Sequence, residues 1–298
     1  MRVTTSTISA TALRQIQDLN ARLSKLQIQV STGQRISQPE DDPAAVGRLI
    51  TLQDESKQLD QFQQNAARAL EISQASTSAL QEIKTLSDRA TELATLGSST
   101  ESSDSARSYA TEANQLLEQA VQLANSSLRN DHLFAGTAVD TAPFQISRDS
   151  SGNITGVTYA GSTDVASIPL SDTASIAPAT TAQTNQGLAD FINHLVSLRD
   201  ALNQNDPAAV AGVQSGLLTT EDTIINAISD QGAIQMRIQL NQDQQQNRST
   251  EIEKLISNDA NIDMSQAIVR YNQVQVAYQA ALQSTASIMN LSLLDYLQ

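Results

Sequence analysis

Two histidines, a run of three acids and one glycine-containing loop are the places where this chain could do chemistry. His132 and His194 stand alone, with no second ligand type at i+3 or i+4, so neither begins a metal site. The stretch DSSGNITG from Asp149 resembles a calcium loop, but it lacks the alternating acids and the bidentate Glu that such a loop requires; a hairpin turn accounts for it better. Glu40, Asp41 and Asp42 could suggest carboxylate catalysis, yet acids in this position are explained by capping and by the positive end of a helix dipole. The chain has no cysteine, which removes disulfides, thiolate nucleophiles and Cys-ligated metals together. No nucleophile with a base and no phosphate-cradling glycine loop is present, so the residues predict no catalytic, cofactor or metal site and no enzyme.

What remains is periodicity. Ala12, Ile16, Leu19, Leu23, Leu26 and Val30 step by fours and threes, the spacing of a coiled-coil seam, and Met264, Ala267, Tyr271, Val274, Tyr278, Ala281, Thr285 and Ile288 do the same at the other end. Tyr271 and Tyr278, one heptad apart, read either as a recognition stripe or as ordinary seam residues, and seam placement is the default. A helix of 30 residues is about 45 Å long, and an apolar stripe of that length must be covered by the other seam, a neighbouring helix or another subunit.

Composition narrows the partners. A formal charge of −14 without clustered Lys or Arg argues against nucleic acid and against an anionic membrane surface. No apolar run is long enough for membrane insertion, and MRVTTSTISA lacks the apolar centre of a secretory signal, so ordinary rules predict a soluble cytoplasmic chain. Aromatics make up only 3%, which favours thin helix packing through Ala, Leu, Ile and Val over a bulky core.

Proline maps the chain. None occurs between Pro43 and Pro143 or after Pro207, leaving two tracts free for long helices. In STGQRISQPEDDPAAV, Gly33 can end a helix in the left-handed conformation, while Asp42 and Pro43 supply a cap and a first residue for the next. Asp206 and Pro207 repeat that start. Leu49, Leu52, Leu59, Ala66, Leu70, Leu80, Ile83, Ala90 and Leu93 carry a helical pattern to about Gly97, and GSSTESSD interrupts it before a further helix. From NDHLFAGTAVDTAPF onward the chain turns Thr-, Ser- and Gly-rich, FQISRDSSGNITGVTYAG reads as two strands around a turn, and helical spacing returns at Gly187. The expected architecture is mainly α, with long coiled-coil-type helices from both chain ends and a small β-rich insert. The segments are 1–130 helical, 131–186 β-rich and 187–298 helical.

The first motif, with Ser31, Thr32, Gly33, Arg35, Ile36, Asp41, Asp42 and Pro43 in order, resembles the N-terminal motif of the bacterial flagellin family. Leu133, Phe134, Ala135, Gly136, Thr137, Pro143 and Phe144, together with the ending Leu293, Leu294, Asp295, Tyr296, Leu297, are similar to the hook-associated branch of that family more than to filament flagellin. The resemblance implies a structural subunit joining flagellar hook to filament, exported unfolded by the flagellar type III apparatus and therefore extracellular. It also implies partners: a ring of its own copies, a second hook-side junction protein, flagellin and a flagellar export chaperone. Packing between subunits would fall to Ile16, Leu19, Leu23, Leu26, Val30, Tyr271, Val274, Tyr278, Ala281 and Ile288. A filament flagellin and a cytoplasmic coiled-coil scaffold are the alternatives.

Overall fold

The computed structural model describes residues 5–100 and 102–296. Its elements in order are α1 Thr5–Thr32, α2 Pro43–Ser98, α3 Ser103–Ala124, β1 Ser127–Leu128, β2 Asp131–His132, β3 Phe144–Arg148, β4 Ile154–Tyr159, β5 Ile168–Pro169, β6 Ser175–Ile176, α4 Ala182–Asn203, α5 Pro207–Ala260 and α6 Met264–Tyr296. The architecture is mainly α with three separate two-stranded antiparallel ribbons, β1-β2, β3-β4 and β5-β6. The chain divides into two compact units, Met1–Gln58 with Asn247–Gln298 and Leu59–Gln246.

The helix starts follow capping chemistry. Asp42 accepts the Ala45 amide at 3.0 Å ahead of α2, and Asp206 accepts the amides of Ala208 and Ala209 ahead of α5. Asp263 does the same for Ser265 and Gln266 ahead of α6, while Ser102 and Thr181 cap α3 and α4. Because Thr181 receives the Thr184 amide, α4 starts at Ala182 and not at Gly187, where the apolar spacing becomes visible. The polar stretch after Ser98 does separate α2 from α3.

The unit formed by Leu59–Gln246 has a true core. Leu80, Ile83, Leu93, Leu117, Phe134, Phe144, Phe191, Ile192 and Leu195 are all but fully buried. Each such side chain contributes about 2 kcal/mol on removal from water. Three of the four phenylalanines sit here. The low aromatic content therefore reflects the long helices elsewhere, and not a lack of large rings in this core.

The β3–β4 hairpin turns on Asp149, whose carboxylate accepts the amides of Ser151 and Asn153 at 2.8 and 2.9 Å. The side-chain and backbone bonds from Asn153 hold this carboxyl below its usual range. A turn, not a cation, uses the acid. Each outer edge of the ribbon is bonded by side chains at particular residues. Asn125 bonds the N–H and C=O of Phe144 at 3.0 and 3.1 Å, and Asn193 bonds both groups of Val157 at 2.9 Å. The buried Arg199 adds a bond of 2.8 Å to the Ile154 carbonyl.

Leu133, Phe134 and Gly136 lead into this hairpin. Phe134 is fully buried, and its carbonyl accepts from the buried Asn185, which also donates to the Tyr159 hydroxyl and accepts from Thr180. Gly136 has φ +66, and a Cβ there would meet the Ser162 and Asp164 carbonyl oxygens at 2.6 Å. The loop therefore demands glycine twice, for conformation and for space. We expect Gly136→Ala to destabilise this unit by about 3 kcal/mol or more, read as a lower urea midpoint at unchanged m-value.

Candidate assembly site

The site belongs to the unit that contains both chain ends. Along α1, Ala12, Ile16, Leu19, Leu23, Leu26 and Val30 are partly covered while most residues between them are exposed, and α1 packs against α6. On α6, Ala267 is buried and Tyr271, Val274, Tyr278, Ala281 and Thr285 are partly covered at the same spacing. Both tyrosines thus lie in the seam. Met264, at the helix start, is exposed. The side chains of Ile288, Leu293, Leu294 and Tyr296 lie outside the described residues. Coverage is partial for a geometric reason: one helix shields a single stripe of its partner, and the flanks of that stripe remain open.

The connector after α1 fixes how the chain turns. Ser31 and Thr32 hydroxyls bond the Ile28 carbonyl, and Gly33, at φ +72, donates to Gln29 O at 2.9 Å, closing the helix in a left-handed cap. The next residues then pair with the connector between α5 and α6. Arg35 N donates to Ala260 O at 2.7 Å and Ile262 N to Gly33 O at 2.9 Å, flanking an antiparallel bridge between Gln34 and Asn261. The end of α1 is thereby held beside the start of α6, and the two helices run antiparallel.

Arg35 ties three helix ends. Its Nε and Nη2 donate to the Asp259 carbonyl in the last turn of α5, and its Nη1 reaches Asp42, the cap of α2, at 3.1 Å. A helix end leaves its last carbonyls without partners, and a guanidinium there supplies donors and opposes the negative end of the dipole. Arg48 binds the Asp259 carboxylate through two bonds of 2.9 and 3.0 Å, so two arginines converge on one residue. Further along, Arg248 bonds Glu55 at 2.7 Å. Gln29, buried at the end of α1, donates to Arg35 O at 2.7 Å. Ile36 is half-buried within the loop.

Asp41 and Asp42 are not a catalytic pair. The Lys25 ammonium, 2.6 Å away, and the amides of Ser37 and Gln38 hold Asp41 far below the usual carboxylate range. The Ala45 amide and then Arg35 depress Asp42. Arg48 depresses Asp259. Gly33, Arg35, Ile36, Asp41, Asp42 and Pro43 therefore meet in one elbow, and Leu133, Phe134 and Gly136 lie in the other unit. Arg48, Asp259 and Asn261 escape a sequence reading, because their partners stand some two hundred residues away and carry no local signal.

Residues 3–139 match the bacterial flagellin N-terminal helical region. Over 146 residues the chain is 31% identical to the flagellar hook-associated protein 3 of Salmonella typhimurium, covering 48% of this chain and 46% of that protein. It thus spans about half the length of the curated relative it matches. Among solved structures, a flagellar hook-associated protein from Vibrio parahaemolyticus aligns with a TM-score of 0.66 at 19% identity, over 74% of this chain and 100% of that one. FlgL of Bacillus cereus aligns with a TM-score of 0.61 at 18% identity, over 70% and 99%. The chain has the fold of these proteins.

The acids of the elbow make its stability depend on pH. Folded values below the ordinary 3.8 stabilise the fold above that pH, and the contribution drains as acid protonates the carboxylates. We expect the thermal midpoint of the α1–α6 unit, followed by an introduced fluorophore on α1, to fall steeply below about pH 4. Asp42→Asn should lower it by a few degrees at pH 6, with the gap to wild type narrowing as the pH falls.

Proposed function

We propose that this chain is a structural subunit of the bacterial flagellum that joins hook to filament and assembles through α1 and α6. What carries the reading is the half-covered seam: two long helices from opposite chain ends shield one stripe of each other and leave the flanks of that stripe for neighbours. The flagellin N-terminal region and the hook-associated relatives support the same assignment.

On this reading the subunit is not an enzyme. Its own copies form a ring, with a second junction protein on the hook side and flagellin on the filament side. It leaves the cell through the flagellar type III apparatus, unfolded, and a flagellar export chaperone shields the α6 seam beforehand. The β-rich segment, expected over 131–186 and running from β1 to β6 between α3 and α4, faces outward. Long helices without a covered apolar face are marginal in water, so the order of the end helices is completed on assembly.

Deletion of the gene tests the role. Cells should carry hooks without filaments, seen by electron microscopy, and should release flagellin as monomer into the medium. Normal filaments would overturn the junction role. Complementation tests the surface: Leu23→Asp and Ala281→Asp each place a charge in the seam and should abolish filament attachment while the Leu59–Gln246 unit keeps its urea midpoint. Full restoration of filaments by both variants would remove the seam from the account.

A further inference from the structure

The Met1–Gln58 and Asn247–Gln298 unit carries two further surfaces that its seam does not use. The first is a groove of about 690 Å3 between the start of α2 and the end of α5. Ala44, Gly47 and Leu52 line it from α2 and Leu255 from α5, while the rim is the Arg48–Asp259 pair, whose charges cancel. Gly47 has nothing within 4 Å of where a Cβ would stand, so the groove is open beside it. Leu255 remains 41% exposed.

The second surface is the side of α6 turned away from the seam. Val269 and Val276, one heptad apart, are 54% and 64% exposed. Between Met264 and Ser287 the helix holds one charged residue, Arg270, in a chain that is 17% charged. The exposed side of α1 is more charged, with Arg14, Asp18, Arg22 and Lys25 beside the apolar Leu13 and Ile28. A helix side with branched apolar residues and almost no charge is suited to a protein neighbour. A groove whose rim charges are already paired accepts a neutral occupant and would leave a charged one without a partner.

We infer that the Val269–Val276 side of α6 in one copy docks into the Ala44–Gly47–Leu255 groove of a second copy. This rests on the reading of the chain as an assembling subunit and names the contact. Knob and hole are different patches, both present on every chain, so the contact is heterologous: each copy accepts one neighbour and is accepted by another, and the series closes into a ring or runs on as a helix. The knob side chains enter as in other helix-in-groove contacts, with small residues admitting close approach.

Two variants separate the halves. Gly47→Leu fills the hole at a helical position with space for the side chain, and Val276→Asp places a charge on an exposed knob; neither disturbs a buried contact. In sedimentation velocity over a concentration series, the full chain should self-associate, and each variant alone should bind itself at least roughly tenfold more weakly. An equimolar mixture of the two should form dimers and nothing larger, because one hole and one knob survive between them. A wild-type chain that stays monomeric throughout, or variants that associate as wild type does, would overturn the docking. Cells lacking the gene decide independently: filaments restored by Gly47→Leu but not by Leu23→Asp would sink the groove and spare the subunit role.

Discussion

A pair of helices can hide one stripe of each partner and no more, and the unit holding the chain ends is built around that limit. The stripe on α1 runs from Ala12 to Val30 and that on α6 from Ala267 to Thr285. Apart from the buried Ala267, their side chains are only partly removed from water, so the pair gains a fraction of what a core of equal length would yield. The same chain shows in Leu59–Gln246 what full burial looks like, with Phe134, Phe144 and Phe191 enclosed. Leucine, isoleucine and alanine supply both; the core differs in adding its phenylalanines and in enclosing each side chain on more sides.

Polar chemistry at the elbow compensates for the thin apolar contact. Three helix ends meet there, and each would leave orphan backbone groups. Gly33 closes α1, Asp42 caps α2, and Arg35 with Arg48 serves the end of α5 at Asp259. These are exposed ion pairs, individually weak. Their effect comes from geometry, because backbone bonds from Arg35 and Ile262 already hold the two connectors in register.

Much of this could be read from the residues. Alternating three- and four-residue steps identified both end helices, and Asp-Pro pairs located the starts of α2 and α5, because these signals are local. Tertiary pairing is not local. Nothing near Arg35 announces Asp259, and nothing near Asn185 announces Phe134. The first ribbon was hidden for another reason: its two-residue turn uses Arg129 and Asn130 at φ 51 and 78, where a hairpin signal would call for glycine. The start of α4 was likewise obscured, since its first turn is polar and only its threonine cap marks it. As for chemistry, the missing alternating acids already pointed to a hairpin turn at Asp149, and its carboxylate accepts the amides of that turn.

The asparagines beside the β3–β4 ribbon have a consequence for crowding. At high local concentration an unfilled strand edge on any protein can recruit another strand, and such pairing grows without limit. Asn125 and Asn193 occupy outward hydrogen-bonding groups of Phe144 and Val157 that an added strand would need, and Arg199 occupies the Ile154 carbonyl. These three side chains make lateral sheet growth unrewarding at those positions.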